Sequence, residues 1–241
     1  MRLNYKTGGY RRNGTKERYG FAKQLVSQNE VNAIESLTLI GPGPVGSITQ
    51  ISKGDFYSVG TTGFLAKNPE FLMVAKATVT SVTSPSGNGK GSISGINYST
   101  FASTDNYESW RNGWASVTVG DSLSMNKETG TGGGGNYRVE SVICSGKHYK
   151  ISNSVLQTKA KVGRGVGCTI RPITWGINNT TTSGWLGKDG YGISKIEIVD
   201  GGSGYKKNDI VAIIGGGGED GHDFVEAHFR VDSVSRGPVR S

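Results

Sequence analysis

His222 and His228 stand among Glu219, Asp220, Asp223 and Glu226, the one place in the sequence where a metal site can be drawn on paper. Imidazole nitrogens and carboxylate oxygens could together hold a divalent cation. Their spacing matches neither a zinc pattern nor a calcium loop. Alternation through 222–231 also spreads them over two faces of a strand. Solvated strand residues are therefore the expectation, with no metal and no cofactor. The remaining histidine, His148, lies far away in sequence. Gly41-Pro-Gly-Pro-Val-Gly46 matches G-x-G-x-x-G in form. A dinucleotide site needs those glycines to open a helix, and Ser47 to Ser52 reads as strand. Gly87-Asn-Gly-Lys-Gly-Ser92 lacks the leading glycine of a phosphate loop and has Gly91 where Ser or Thr should follow Lys90. Gly132 to Gly135 and Gly215 to Gly218 read as low-complexity turns without partner chemistry. No Ser/His/Asp or Cys/His arrangement stands out, so no catalytic residue is assigned.

The N-terminal segment offers a different chemistry. Arg2, Tyr5, Lys6, Tyr10, Arg11, Arg12, Lys16, Arg18 and Tyr19 interleave cations with aromatic rings and glycines. With Lys23 there are seven basic residues in positions 1–23 against Glu17 alone, so +6 of the formal +8 is concentrated there. Such a segment could neutralise phosphates and stack on bases, lie across an acidic neighbouring subunit, pack on its own chain, or remain a solvated tail. It holds almost no aliphatic side chains and so contributes little to an internal core. The expectation is an assembly arm that clamps a neighbouring subunit, in preference to nucleic-acid binding.

What must position such groups is a β-rich body. The chain has 241 residues, of which 39 are glycine and six are proline, enough length for one large β domain or two smaller ones. Residues 21–35 carry an imperfect apolar stripe (Phe21, Leu25, Val31, Ile34) that reads as a possible short helix. From Ser36 onward the pattern is strand, at 36–40, 71–82, 115–119 and 122–125, with turn-rich loops at 84–95 and 128–136. The division predicted is 1–35 arm and possible helix, 36–136 a β domain, and 137–241 a β domain with two repeat units. The fold class predicted is mainly β, built of small antiparallel modules, partly duplicated, with an extended N-terminal arm.

Cys144 and Cys168, the two cysteines, read as reduced and partly buried thiols. The first residues, Met-Arg-Leu-Asn-Tyr-Lys, have no apolar run of the secretory kind. No stretch approaches the roughly 18 apolar residues of a membrane helix. Synthesis in a cytoplasm, with no membrane partner, is expected.

Three distant stretches share one pattern, a short strand followed by a G-x-x-Y turn. The turns are Gly54/Tyr57, Gly146/Tyr149 and Gly202/Tyr205, the last also containing Gly204. Copies two and three align without gaps at an offset of 56, through Val142/Ile198, Ile143/Val199, Lys150/Lys206 and Val155/Val211. Copy one aligns with copy three at an offset of 148, through Ile48/Ile196 and Ile51/Val199. Glycine permits the positive φ of a tight turn, and the tyrosine can lay its ring over the preceding strand. Recurrence of this kind points to stacked or duplicated β modules.

Residues 192–231, through Ile196-Glu-Ile-Val-Asp-Gly-Gly-Ser-Gly-Tyr205 and the glycines at 215–218, resemble the GGSGY β-repeat of tailed-bacteriophage structural proteins, notably those of marine and cyanobacterial hosts. The match is degraded over 139–172 and faint over 47–62. The repeat also occurs in other large surface proteins. The resemblance implies a non-enzymatic virion component, a capsid decoration protein or a tail, baseplate or fibre-attachment protein. Its partners would be other virion proteins and further copies of itself, and its location the virion. A carbohydrate-binding or adhesin module presenting Tyr107, Trp110, Trp114, Trp175 or Trp185 to a host glycan is the alternative. A polysaccharide-degrading enzyme is the outsider.

Overall fold

The computed structural model describes residues 32–70, 72–83, 88–99, 116–149, 153–175, 191–215 and 225–236. Among them are thirteen strands and no helix, a mainly β fold of two antiparallel sheets. The proposed arm lies outside the described residues. So do the first eleven positions of the proposed helix, and its last four, Asn32 to Glu35, are strand instead. Their alternation serves the sheet: Ile34 is buried and Glu35 exposed, and two residues per repeat suits a half-buried strand.

The first sheet comprises β2 (Val45–Asp55), β3 (Thr62–Lys67), β4 (Leu72–Thr83), β5 (Ser92–Tyr98), β6 (Ser122–Thr129) and β7 (Gly133–Val142). Its order is β2-β7-β6-β3-β4-β5. The edge strands meet: Tyr98 donates its hydroxyl to the Gly46 carbonyl at 3.1 Å, Gln50 donates to Ile93 O at 3.3 Å, and Tyr57 bridges Gly91. The sheet thus rolls up around one core that includes Val45, Tyr57, Leu65, Val79, Ile93, Leu123 and Val139.

The second sheet comprises β1 (Asn32–Gly41), β8 (Ser145–Tyr149), β9 (Leu156–Val162), β10 (Thr169–Trp175), β11 (Tyr191–Asp200), β12 (Ile210–Ile214) and β13 (His228–Arg236). Its order is β1-β13-β12-β9-β10-β11-β8. It too rolls up, with Ile34 N–H donating to Gly201 O at 2.9 Å and Tyr205 N–H to Asn32 O at 3.1 Å. Its core includes Ile34, Tyr149, Cys168, Ile170, Ile193, Tyr205, Ile213 and Phe229. Leu39 packs against both cores.

These sheets divide the chain differently from boundaries at 36 and 137. Asn32–Gly41 pairs with β13, and Gly133–Val142 stays in the first sheet. The register explains why. On β2, Val45, Ser47, Ile48, Thr49, Gln50 and Ser52 face Val142, Ser141, Val139, Arg138, Tyr137 and Asn136. On β1, Ile34, Ser36, Leu37, Thr38, Leu39 and Gly41 face Val234, Ser233, Val231, Arg230, Phe229 and His228. The two ladders run in step, bulges included. Ser47 and Ser141 join hydroxyls at 2.6 Å, and Ser36 and Ser233 do so at 2.7 Å.

β1 therefore occupies in the second barrel the place β2 holds in the first. It stops at Gly41, and β8 resumes the same course at Ser145, where Ser145 accepts from His228 N–H at 3.1 Å. The first barrel, residues 45–142, is inserted into the opening strand of the second. The two crossings run side by side, with Gly146 N–H on Pro42 O at 2.8 Å and Ile143 N–H on Pro44 O at 3.0 Å.

Candidate functional site

The G-x-x-Y turns are where the sequence pattern becomes geometry. Gly54, Gly146 and Gly202 have φ of 60°, 76° and 63°, and Tyr57, Tyr149 and Tyr205 are all fully buried. Each turn docks on a β-hairpin distant in the chain. A Cβ added at Gly54 would strike the backbone of Gly133 to Gly135. At Gly202 it would strike Val166 to Cys168, and at Gly146 Val225 and Ala227. Glycine is needed here on two counts, positive φ and backbone-to-backbone contact.

The receiving hairpins explain two glycine clusters. Gly130-Thr-Gly-Gly-Gly134 and Gly163-Arg-Gly-Val-Gly167 share a G-x-G-x-G pattern. An added Cβ at Gly132 would lie 2.5 Å from the Tyr57 ring, and one at Gly165 would overlap the Tyr205 ring. The middle glycine is the seat of the tyrosine. Gly132 to Gly135, read from sequence as a low-complexity turn, belongs to this docking surface. In the second barrel the docking is reciprocal. Tyr205 enters the β9–β10 hairpin that follows copy two, and Tyr149 enters the β12–β13 hairpin that follows copy three.

The hydroxyls differ in how they are satisfied. Tyr149 donates to Ile213 O at 3.0 Å and accepts from Ala227 N–H at 2.7 Å. Tyr57 makes the same two contacts more loosely, to Met125 O at 3.5 Å and from Gly135 N–H at 3.4 Å. The Tyr205 hydroxyl faces Thr158 and the Cys168 backbone without completing a hydrogen bond. Burial pushes the pKa of all three phenols up, so each stays protonated near neutrality.

A fourth turn of this kind was not visible as a motif. Lys206 N–H donates to the Asp209 carboxylate at 2.9 Å, and Thr118 N–H donates to Asp121 at 2.8 Å. Val231 N–H reaches Asp209 O at 2.8 Å, Val139 N–H reaches Asp121 O at 2.9 Å, and Val79 N–H reaches Thr61 O at 2.9 Å. By this bonding Val117, fully buried, stands where Tyr57 and Tyr205 stand. Gly60, Gly120 and Asn208, all with positive φ, share the next equivalent place. Among the described residues four such turn–hairpin units build the two barrels, and three of them keep the tyrosine.

The other candidates disperse. Glu226 is held between Lys159 at 2.7 Å and Lys161 at 2.9 Å. Burial raises its pKa, but the two lysines outweigh this and leave it below the usual carboxylate value. His228 is lowered by burial and by Lys161. Glu219, Asp220, His222 and Asp223 lie outside the described residues, and among the described residues no cluster of three or more metal-ligating side chains occurs. Cys144 and Cys168 are free, buried and unpaired. Burial pushes the Cys144 thiol up to about 12 and raises Cys168, the opposite of an activated nucleophile. Gly41 to Gly46 is the crossing between barrels and opens a strand, not a helix.

The far end of the second barrel gathers positive charge. Arg164, Lys206 and Lys207 are exposed on adjoining turns, linked by the Val166–Ser203 bridge. Residue 32, where the described chain begins, is bonded to Tyr205 in the same place. Tyr107, Trp110, Trp114 and Trp185 lie outside the described residues, as does the side chain of Trp175. Comparison with protein-family models, with curated proteins and with solved structures finds no match for this chain.

Proposed function

We propose that this chain is a non-enzymatic structural component of a tailed-phage virion, a capsid decoration or a tail, baseplate or fibre-attachment protein. It assembles through rigid β modules and a basic N-terminal arm that clamps a neighbouring subunit. The observation that carries the reading is the repeated strand–turn–hairpin unit, whose G-x-x-Y turn recurs three times, with side chains filling both barrels. The three tyrosines that the motif supplies are spent inside the body, where burying each one contributes roughly 1.5–3 kcal/mol. They stiffen a scaffold. Chemistry toward partners is left to the surface and to the arm residues Arg2, Tyr5, Lys6, Tyr10, Arg11, Arg12, Lys16, Arg18 and Tyr19. Other virion proteins and further copies of this chain are its partners on this reading, with the virion as its location.

The test is incorporation into particles. An antibody against the barrel should label purified particles at a fixed position, and a chain lacking residues 1–20 should fold but fail to incorporate. Particles free of the protein would overturn the virion reading. Normal incorporation of the truncated chain would overturn the clamp alone.

A further inference from the structure

The first barrel is left ajar along one seam. β2 and β5 are the two edges of its sheet. At one end Tyr57 and Gly91 exchange both backbone bonds, at 2.9 and 2.8 Å. At the other the Tyr98 hydroxyl donates to Gly46 O at 3.1 Å. Between these ties no ladder joins the two strands among the described residues. A cavity of about 200 Å³ opens there, lined chiefly by Ile48, Gln50, Ile93, Ile96, Tyr98 and Tyr137. The buried Ile93 and Tyr137 form its floor, and the exposed Ser94 stands at its mouth.

The second barrel shows what the fold itself asks for at this place. On the matching ladder Leu37 faces Val231 and Leu39 faces Phe229. In the first barrel Ile48 faces Val139, but Gln50 faces Tyr137. An amide and a phenol thus stand where the other barrel keeps hydrocarbon, and their desolvation is offset only by hydrogen bonds. Those bonds are long: Gln50 Nε2 donates to Ile93 O at 3.3 Å and to the Tyr137 hydroxyl at 3.4 Å. The Gln50 amide oxygen and the Tyr137 hydroxyl proton have no partner among the described residues. Burial pushes the Tyr137 phenol up to about 12, so it remains a neutral donor near pH 7.

We propose that this cavity is a binding slot for one neutral ring bearing a hydroxyl group, a phenol. Three isoleucines give it apolar walls, and no ionic side chain lines it. The charged residues of the flanking strands, Lys53 and Asp55 on β2 and Arg138 and Glu140 on β7, are exposed and lie outside the lining. An apolar cavity of about 150 Å³ accepts benzene, so about 200 Å³ has room for such a ring with its substituent. A hydroxyl both donates and accepts, and so serves the Gln50 oxygen and the Tyr137 hydroxyl proton together. A sugar would leave most of its hydroxyls unpaired against isoleucine. The ties at both ends of the seam keep out an added strand. The ring therefore enters from the side, as a free phenol or as the tyrosine of a partner protein.

The test titrates the full chain, with labelled isoleucine methyls, against p-cresol, toluene, glucose and a short tyrosine peptide. p-Cresol should shift the Ile48, Ile93 and Ile96 methyls and bind about tenfold more tightly than toluene, the effect of one or two hydrogen bonds. Gln50→Leu with Tyr137→Phe, which copies the second barrel, should erase that preference while the other methyl signals keep their positions. Should the double variant fail to fold, Tyr137→Phe alone, which removes one oxygen, should still lower the preference. Peptide binding tighter than p-cresol would give the ring's source as a partner's tyrosine, and the reverse a free phenol. Unmoved isoleucine methyls at millimolar p-cresol, or glucose binding more tightly than p-cresol, would overturn the slot. A preference that survives the substitutions would overturn the roles of Gln50 and Tyr137.

Discussion

The two barrels have matching ladders but unequal histories along the chain. In the first, the opening strand β2 is one uninterrupted run, Val45 to Asp55. In the second, the same course is shared between β1 and β8, with about a hundred residues interposed. The first barrel closes from contacts within 45–142, whereas the second cannot close until both its pieces have been made. Loop-closure entropy grows only slowly with the intervening length, so the split costs little once folded. It matters for what each barrel can survive losing.

The largest effect should come from removing β1. Deletion of residues 1–41 takes Ile34, Leu37 and Leu39 from the second core and opens the edge of β13. The second barrel should unfold while the first persists. Hydrogen exchange would read this directly: amides at Leu123 and Val139 stay protected, and those at Ile170 and Ile213 exchange freely. Protection retained at Ile213 would mean that β8 alone can hold the course. Deletion of residues 1–20 should leave both sets protected.

Next in size are the seats of the tyrosine rings. Gly165→Val and Gly132→Val drive a branched side chain into Tyr205 and Tyr57 respectively. Each should cost about 3 kcal/mol or more, the upper range for overpacking a core. Urea unfolding with probes in each barrel should show Gly165→Val affecting the second and Gly132→Val the first. A cost below about 1 kcal/mol at either position would show that the ring can move aside.

Why the sequence told only part of this is itself physical. The G-x-x-Y turns were legible because glycine and tyrosine are each demanded by a specific contact. Val117 was hidden because its turn keeps the Asp and Gly bonding but replaces the ring. Asn136-Tyr-Arg-Val-Glu-Ser-Val142 and His228-Phe-Arg-Val-Asp-Ser-Val234 recur at an offset of 92, the spacing that also separates Tyr57 from Tyr149. That signal lay in plain view and marks the duplication of the whole barrel. Ser36-Leu-Thr-Leu-Ile40 likewise repeats in Ser47-Ile-Thr-Gln-Ile51, only 11 residues on, which is how one strand's course came to be written twice. The pairing of Asn32 with Arg236 could not be read locally, because strand pairing depends on residues some two hundred positions away. Asn32 to Glu35 joined a helical stripe on spacing alone, and tertiary pairing overrode it.

A smaller contrast lies between two tyrosines of the second barrel. Tyr149→Phe leaves Ala227 N–H and Ile213 C=O without the hydroxyl they share, and buried groups so abandoned cost about 1–3 kcal/mol. Tyr205→Phe removes a hydroxyl that completes no hydrogen bond. It should be neutral or slightly stabilising, although both rings are equally buried. Equal losses from the two substitutions would mean that the Tyr205 hydroxyl is satisfied in solution.

The smallest effect has the more informative sign. Phe56 and Gly204 each immediately precede the buried tyrosine of their turn, with φ of 61° and 76°. In these two turns the position is left-handed, and it is filled by glycine at 204 but by phenylalanine at 56. A bulky side chain in that region costs about 1–2 kcal/mol, and Phe56 recovers little by packing, since it is 70% exposed. Replacing it by glycine removes the strain but adds about 0.5–1 kcal/mol of unfolded-chain entropy. Phe56→Gly should thus stabilise the first barrel by about 0.5 kcal/mol, measured as a rise in its urea midpoint at unchanged slope. Gly204→Phe should destabilise the second barrel by a little more, because its Cβ would meet only ordinary contacts, Gly165 Cα at 3.7 Å and Arg164 O at 4.0 Å, and backbone strain is what opposes the ring. A clear loss of stability from Phe56→Gly would show that the phenyl ring packs on the first barrel after all. A gain would leave Phe56 as a residue whose presence the fold itself does not reward.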